Sequence, residues 1–284
     1  MELIKDLKVE PFLRTIWVSE EARKVWEPAI HAISSMVNNL EIDSVGYGHR
    51  KCSWQTIPMK SLPSFSKQMG EKGLLVMPVR LVGSWGKGFI HYTPEPKPDD
   101  PNPNVYCIIS KSIHDAMGFR AGHESGDHEA QGHYLGFPKC CTKTFSKWWG
   151  QGYFDPMYQS YENGEGKTHP YSIPILRYIG VRAGFHIPCS FSCVDTINIG
   201  IQRMAIAQDR ELVKLFDAML SMPMSWEVYH GVAIVKTPIF YVLTQSLPTK
   251  EKYRIKIDGK FVPRESATGV NFPFKKGDSN EKIY

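Results

Sequence analysis

The sequence predicts an α+β fold, in which a mixed or antiparallel sheet packs against helices. Helical and strand-like segments follow one another without the regular strand–helix alternation of a doubly wound parallel sheet. Asp258-Gly259 is a strong two-residue hairpin signal, which joins antiparallel strands. The composition is that of a globular protein, because 42% of the 284 residues are hydrophobic and 22% are charged. It excludes a disordered chain, a collagen-like fibre and a coiled coil.

Residues 1–110 are expected to form an N-terminal α/β portion. Ser19 is a candidate helix cap, and apolar residues then recur at steps of three and four as far as Met36. Asn38-Asn39 ends this pattern. Three apolar runs predict strands, at 74–82, 87–92 and 105–109.

Residues 111–262 form a second portion, which carries the cysteine and histidine motifs and ends in strands. Helices are predicted at 139–149 and at 194–207 and 209–220, where the last two segments are either two helices or one bent helix. The strands predicted after them lie at 226–235, 239–244 and 253–262. We expect the two portions to form one compact unit, followed by a polar tail over 263–284.

The charge and hydropathy of the chain restrict its partners. The net charge of +5 is a mild excess that tolerates a polyanionic partner without requiring one. No stretch approaches the roughly 20 apolar residues of a membrane-spanning helix. The first residues carry acids where a signal peptide would be basic. We therefore expect a cytoplasmic protein with no membrane partner.

Four of the six cysteines fall in two pairs, and each pair follows a proline and opens a predicted helix. The pairs are Cys140 with Cys141, and Cys189 with Cys193. In a reducing cytoplasm such thiols are free or bind metal rather than form disulfides. A helix N-terminus favours the thiolate, which is the metal-binding form, and Lys139 and Lys143 act in the same direction. We expect the two cysteine-bearing turns to meet at one metal site.

Two cofactors fit four thiolates. Adjacent cysteines are awkward as two ligands of one tetrahedral ion because neighbouring side chains tend to diverge, whereas a [4Fe–4S] cluster binds each thiolate through a different iron. His186 precedes Cys189 at H-x₂-C spacing, and histidine with two or three cysteines is common zinc chemistry. The sequence leaves [4Fe–4S] and Zn²⁺ both open. Without a metal, the thiols would be small buried hydrophobes, an interpretation that suits Cys52 and Cys107.

A polar segment before the first cysteine pair supplies candidates for acid–base catalysis. They are His123, His128, Glu129 and His133. His128 and His133 are five residues apart, so the segment lacks the H-E-x-x-H motif of zinc proteases. A glycine-interrupted loop could still bring these groups to a metal, where hydrolysis or proton transfer requires a nearby base. The alternative is a polar surface loop.

Two other segments have weaker patterns. In segment 47–54, Arg50 and Lys51 precede Cys52, and such cations lower a thiol pKa, so the segment is either an anion-binding or nucleophilic site or a solvated basic turn. The helix predicted over 139–149 combines lysines with Trp148 and Trp149. Charge beside aromatic faces is typical of single-stranded nucleic-acid platforms, although the same tryptophans could pack the helix onto the core.

The two cysteine motifs carry a resemblance to a family. LGFPKCC at 135–141, HIPCSFSC at 186–193 and SMPMSWEVYHGVAIVKTP at 221–238 resemble an uncharacterised family of archaeal, bacterial and phage proteins of unknown function. The resemblance covers roughly residues 110–245 and implies that the four paired cysteines are metal ligands. The basic, aromatic-rich character is also similar to phage enzymes that modify nucleobases, such as 7-deazaguanine in DNA. That likeness implies the host cytoplasm if a phage encodes the chain.

Two function classes follow. The first is a metal-dependent enzyme acting on a nucleotide, nucleobase or related heterocycle, including DNA base modification. The second is a nucleic-acid-binding or assembly module with a purely structural metal, and a redox sensor with labile cysteines is a third interpretation. The chain has no CxxxCxxC, no phosphate-binding P-loop and no GxGxxG after a strand, so radical, ATP-driven and nicotinamide chemistry are not indicated. The expected partners are a small heterocycle or nucleotide, or a nucleic acid.

Overall fold

A computed structural model describes residues 12–83, 96–150, 156–165, 167–229, 232–245 and 270–272, and confirms the predicted α+β class. The strands in these ranges are β1 (Leu13–Trp17), β2 (Cys52–Pro58), β3 (Leu75–Val82), β4 (Asn104–Ser110), β5 (Met224–Tyr229), β6 (Val232–Lys236), β7 (Phe240–Gln245) and β8 (Val270–Phe272). The helices are α1 (Glu20–Gly46), α2 (Leu62–Glu71), α3 (Ile113–Glu124), α4 (His128–Tyr134), α5 (Lys139–Gly150), α6 (Met157–Glu162), α7 (Val194–Ile206) and α8 (Arg210–Leu220).

The chain divides into two compact units, each assembled from segments that are distant in sequence. Of the described residues, the first unit takes 12–37 and those from 147 onward, and the second takes 38–83 and 96–146. Among the helices of the described ranges, none has the length and apolarity needed to cross a membrane. The strands predicted at 87–92 and 253–262 lie outside the described residues, as does the tail over 263–284 apart from β8.

The first unit contains an antiparallel sheet with the strand order β1-β7-β6-β5-β8. The run 226–235, predicted as one strand, is in fact two, because β5 and β6 pair antiparallel with Trp226 opposite Val235. One face of this sheet is apolar and buried, with Val235 and Phe240 fully excluded from solvent. Short 3₁₀ helices at Pro170–Ser172 and Ile175–Ile179 precede α7.

The second unit contains a three-stranded antiparallel sheet in the order β2-β4-β3, with helices on both faces. The central strand β4 alternates: Ile108 packs with Phe119 of α3, and Ile109 packs with Met69 of α2. Helix α1 continues through Asn38-Asn39 to Gly46, because apolar positions persist and Leu40 and Val45 are buried.

The segment predicted as a glycine-interrupted or polar loop forms two helices instead. Ser112 caps α3 by accepting a hydrogen bond from the amide of Asp115 at 3.3 Å. Asp127 caps α4 by accepting one from the amide of Ala130 at 2.9 Å. Both caps follow the side-chain chemistry of helix N-termini, and they place the candidate histidines on helices rather than on a loop.

Candidate metal centre

The first cysteine pair follows a helix ending that its own sequence specifies. Gly136 lies just beyond the last residues of α4 and has a φ of +67°. Its amide donates to the carbonyl of His133 at 3.2 Å, and the amide of Phe137 donates to the carbonyl of Gly132 at 2.8 Å. These are the two hydrogen bonds of a Schellman motif, which terminates a helix on a left-handed glycine. Gly136 and Phe137 of the LGFPKCC motif therefore terminate α4.

The proline and the cysteines of the same motif form the next helix start. Pro138 has no amide to continue α4, but its carbonyl accepts a hydrogen bond from the amide of Thr142 at 3.0 Å, so α5 begins directly after it. Cys140 and Cys141 are the second and third residues of α5. First-turn amides lack acceptors within the helix and form the positive end of its dipole, which favours thiolates. The prediction that this turn opens a helix is confirmed.

Close packing fixes the α4–α5 turn against its own unit. A Cβ atom at Gly132 would overlap the methyl group of Thr142, so the two helices meet at a glycine. A Cβ at Gly136 would lie 2.9 Å from the Cβ of Arg50. Arg50 itself is buried in an ion pair with Glu41. The orientation of the cysteine-bearing turn is thus tied to a buried charge pair.

The basic segment at 47–54 contains an exposed turn at 47–49 and an exposed Lys51, as the solvated-turn interpretation predicts, but it is not a nucleophilic site. Arg50 is 6% exposed and forms its ion pair in the interior. Cys52 is fully buried, and burial raises the pKa of its thiol to about 11, which outweighs the neighbouring cations. A thiol that stays protonated at neutral pH is a poor nucleophile. The interpretation of Cys52 and Cys107 as small buried hydrophobes agrees with these positions.

The second cysteine pair lies in a turn that is tied down through its carbonyls. The side-chain hydroxyl of Ser160 donates to the carbonyl of Pro188 at 2.6 Å, and the amide of Asn163 donates from Nδ2 to the carbonyl of Cys189 at 3.0 Å. The amide of Cys193 donates to the carbonyl of Ser190 at 3.1 Å. Cys193 is then the N-cap residue of α7, so this cysteine-bearing turn also opens a helix, as predicted.

Two further hydrogen bonds converge on one carbonyl in the middle of this turn. The carbonyl of Phe191 accepts from the amide of His169 at 2.8 Å and from the hydroxyl of Ser172. The Phe191 ring is 1% exposed and lies 6.3 Å from the ring of Tyr161. Segment 188–193 is therefore held by side chains and backbone from residues 160–172.

The four paired cysteines lie together and could hold a metal ion. Their Sγ atoms are all within 4.8 Å of one another. The Sγ atoms of Cys140 and Cys141 are 3.8 Å apart, so these adjacent side chains converge rather than diverge. None of the six cysteines, all of which are in the described ranges, forms a disulfide. Cys140 is exposed, Cys189 is half-buried, and Cys141 and Cys193 are buried.

The candidate ligand His186 is engaged elsewhere. Its Nε2 atom lies 2.8 Å from the hydroxyl of Thr196 in α7. Among the described residues, the group that could hold a metal consists of the four cysteines without a histidine. The hydrogen bond to α7 suits a residue that orients the loop before Cys189.

The four acid–base candidates lie on α3 and α4. The His123 ring lies 4.6 Å from the ring of Trp54 and stacks parallel to Phe119. His133 is exposed, with its Nε2 atom 3.1 Å from Nζ of Lys51. Glu129 is exposed in the first turn of α4.

His128 is the candidate whose contacts lead towards the cysteines. Its ring meets the ring of Phe145 edge-on at 5.4 Å, and Phe145 is one helical turn beyond Cys141 in α5. Burial lowers the pKa of His128, although the charge of Asp127 opposes the shift. A catalytic role for His123, His128, Glu129 or His133 stays a prediction.

Sequence reasoning missed the residues that anchor the second turn. Ser160, Asn163, His169 and Ser172 lie in a stretch rich in Gly, Tyr and Pro, and no periodic pattern singles them out. Their role depends on carbonyl groups more than 15 residues away in the chain, such as Pro188. Only the paired prolines before the cysteines hinted that the backbone there is constrained.

Comparison of the chain with protein-family models, with curated proteins and with solved structures finds no match. The resemblance of its cysteine motifs to an uncharacterised family stays a prediction. The arrangement of the four thiols is thus the observation that bears most directly on function.

Proposed function

We propose that Cys140, Cys141, Cys189 and Cys193 bind a single tetrahedral metal ion, Zn²⁺, which has a structural role in a nucleic-acid-binding or assembly module. The observation that carries the proposal is the convergence of four Sγ atoms within 4.8 Å. Four thiolates complete a tetrahedron and leave no position for water, as in structural zinc sites.

The spacing of the sulfur atoms favours one ion over a cubane cluster. Metal–sulfur bonds of about 2.3 Å place the sulfurs of a tetrahedral zinc site about 3.8 Å apart. Cys140 and Cys141 already have this separation of 3.8 Å. In a [4Fe–4S] cluster each thiolate binds outward from a different iron, which spreads the sulfurs further. The compact group therefore supports zinc.

The anchoring of both turns fits a structural role. The first turn is held by the Schellman motif and by the packing of Gly136 on Arg50. The second is held by hydrogen bonds to the carbonyls of Pro188, Cys189 and Phe191. Ligands that are held in place before binding lose little conformational entropy when the ion arrives, which strengthens binding.

Metal analysis of anaerobically purified full-length protein tests this proposal. We expect one zinc per chain, lost in Cys141→Ser and in Cys193→Ser and retained in the control Cys107→Ala, whose buried thiol is outside the group. Cobalt substitution should give the intense charge-transfer absorption of a tetrathiolate site. Brown protein that contains about four irons per chain would show that the site binds a [4Fe–4S] cluster and not a single zinc ion. Protein without metal, under conditions in which it is folded, would overturn the proposal.

A polyanionic partner is supported by the exposed side of α5. Lys139, Lys143 and Lys147 are exposed and recur at four-residue steps, and α5 has no acidic residue. Trp148 is 7% exposed and packs inward, and Trp149 is half-buried, so the three lysines are the exposed groups available for phosphate contacts. Removal of n phosphate contacts lowers the slope of log affinity against log salt by about 0.7n for single strands.

A binding titration against an oligothymidylate at several salt concentrations tests this partner. We expect the triple variant Lys139→Gln/Lys143→Gln/Lys147→Gln to reduce both the affinity and the salt slope. The matched control is Lys67→Gln, an exposed lysine on α2. A wild-type affinity that does not depend on salt would contradict phosphate binding by this helix.

The second candidate function, a metal-dependent enzyme, depends on His128, which is partly buried beside α5. If the protein acts on a nucleotide or heterocycle, His128→Ala should abolish turnover while metal content stays at the wild-type value. Unchanged activity in His128→Ala, Glu129→Ala and His133→Ala would remove the acid–base assignment.

A further inference from the structure

The four thiols of the metal group differ sharply in exposure. Cys141 is 1% exposed and Cys193 is 8% exposed, and Cys189 is half-buried. Cys140 is exposed to solvent at the start of α5. A site that serves only to hold the chain together needs no ligand open to solvent. Cys140 is therefore the cysteine of this group that reagents in solution reach most easily.

We propose that the metal-bound thiolate of Cys140 is a nucleophile that accepts an alkyl group from a negatively charged alkylating agent. The inference rests on the proposed metal site and extends it, because the same ion that joins the two turns would also keep this thiol deprotonated. A thiol bound to a metal loses its proton outright. The thiolate is the reactive form of cysteine.

The reaction is a displacement that needs no further reactant. The Sγ electron pair of Cys140 attacks the alkyl carbon and forms an S–C bond. The bond from that carbon to its leaving group breaks, and the leaving group departs as an anion with the bonding electrons. The thiolate becomes a thioether, so no proton, oxidant or reductant is required.

The charge of the reagent follows from the surroundings of Cys140. Lys139 precedes it, Lys143 follows one turn later, and both are exposed. Lys147 continues the same row, and α5 contains no Asp or Glu to offset it. Lysines in this position attract an anionic reagent and stabilise the departing anion, and exposed charges of this kind act at short range.

Alkylation of the zinc-loaded full-length protein with iodoacetamide and with iodoacetate tests the inference. Peptide mass spectrometry follows each cysteine, and metal content is measured in parallel. We expect Cys140 to be labelled before Cys141, Cys189 and Cys193. The rate ratio of iodoacetate to iodoacetamide at Cys140 should fall about threefold in Lys139→Gln/Lys143→Gln, the size expected for exposed charge interactions.

Controls within the chain separate reactivity from unfolding. Cys52 and Cys107 are fully buried and should stay unlabelled while the protein is folded. Cys140→His keeps four ligands of a kind that zinc accepts, so it should retain metal but lose the fast labelling. Lys67→Gln should leave the reagent ratio at the wild-type value.

Three outcomes would overturn parts of the proposal in distinguishable ways. If Cys140 of the metal-loaded protein is alkylated no faster than Cys141, its role as a nucleophile is refuted, but the proposed metal site is not. An unchanged reagent ratio in the lysine variant would refute the preference for an anion. Protein that never binds metal would refute the proposed function itself.

Discussion

At Gly136 the backbone conformation and the neighbouring atoms both demand glycine. Its φ of +67° is one that other residues adopt at a penalty of about 1–2 kcal/mol. A Cβ there would also press on Arg50, whereas a Cβ at Gly126, with a φ of +71°, would meet nothing within 4 Å. Comparing a substitution at Gly136 with one at Gly126 therefore separates the cost of a steric clash from the cost of backbone strain.

We expect Gly136→Ala to lower the free energy of unfolding by more than Gly126→Ala does. Gly126→Ala should cost about 1 kcal/mol from backbone strain alone. Gly136→Ala should cost more and should weaken metal binding, because the start of α5 moves when Arg50 is displaced. Urea unfolding and a metal titration of both variants check this. Equal losses would mean that contact with Arg50 is unimportant.

The buried thiols predict how stability changes with pH. Burial raises the pKa of both Cys52 and Cys107 to about 11, from the ordinary thiol value of 9.0. Above pH 9 the unfolded chain releases thiol protons that the folded chain retains, so the free energy of unfolding falls as pH rises from about 9 to about 11. Below that window the contribution is fully present.

Urea unfolding of metal-free protein in this pH window measures the effect. Cys107→Ala should show a smaller decrease between about pH 9 and pH 11 than the wild type, since one of the two thiols is gone. Ser64→Ala, which removes an exposed hydroxyl that does not titrate in this window, is the control and should keep the wild-type slope. An identical slope in all three proteins would show that the buried thiols are not responsible.

The chemistry of single residues was largely predictable, and their geometry was not. Residue type and proline spacing identified Cys140, Cys141, Cys189 and Cys193 as one group. The expectation that adjacent cysteines diverge was wrong, because rotamers in a helical first turn can bring Sγ atoms to 3.8 Å. Neighbouring charge suggested a reactive Cys52, but burial decides its pKa and burial is a property of the fold.

At the scale of elements, the loop 188–193 depends on α6. Ser160 is fully buried, and its hydroxyl donates a hydrogen bond to the carbonyl of Pro188. Pro188 lies outside the helices and strands, so its carbonyl is not part of their backbone hydrogen bonding. A buried carbonyl that loses its donor costs about 1–3 kcal/mol. The loop should therefore loosen when this hydroxyl is removed.

We expect Ser160→Ala to lower the free energy of unfolding by about 1–3 kcal/mol and to weaken metal binding. Ser64→Ala is the control, since Ser64 also donates to a carbonyl, that of Ser61 at 3.0 Å, but at an exposed site. Thermal unfolding and competition with a zinc chelator measure the two effects. Metal affinity that is equal in both variants would show that the anchor does not position Cys189.

Element types could be predicted better than element ends. Periodicity found α1, α7 and α8, but α1 runs past the expected end at Asn38-Asn39 because buried positions such as Leu40 outweigh the poor helix propensity of asparagine. The caps at Ser112 and Asp127 were missed, because the glycines and histidines around them suggested a loop. Tertiary burial decided each of these cases.

At the scale of the whole molecule, a ligand that binds only the folded chain stabilises it by mass action. The stabilisation is about 4 kcal/mol when the free ligand is 1,000 times its dissociation constant. A chelator in excess should remove this contribution. The midpoint of thermal unfolding should therefore depend on the concentration of free zinc.

We expect a zinc chelator to lower the Tm of the wild type and to leave the Tm of Cys141→Ser/Cys193→Ser unchanged. Calorimetry at a series of buffered zinc concentrations makes the comparison. A wild-type Tm that is the same with and without chelator would contradict a structural ion, even if metal is found in the purified protein.

One pairing in the larger sheet affects how the chain can fold as it is synthesised. Leu13 of β1 pairs with Thr244 of β7, and the whole length of β1 runs antiparallel to that distant strand. Ribosomes add about 5–20 residues per second, so roughly 10–50 s pass between the emergence of the two partners. Throughout this interval β1 has an unsatisfied edge that can pair with other nascent chains. We therefore expect chaperones to bind the N-terminal part of the nascent chain and to prevent β1 from pairing with other chains until β7 has been synthesised.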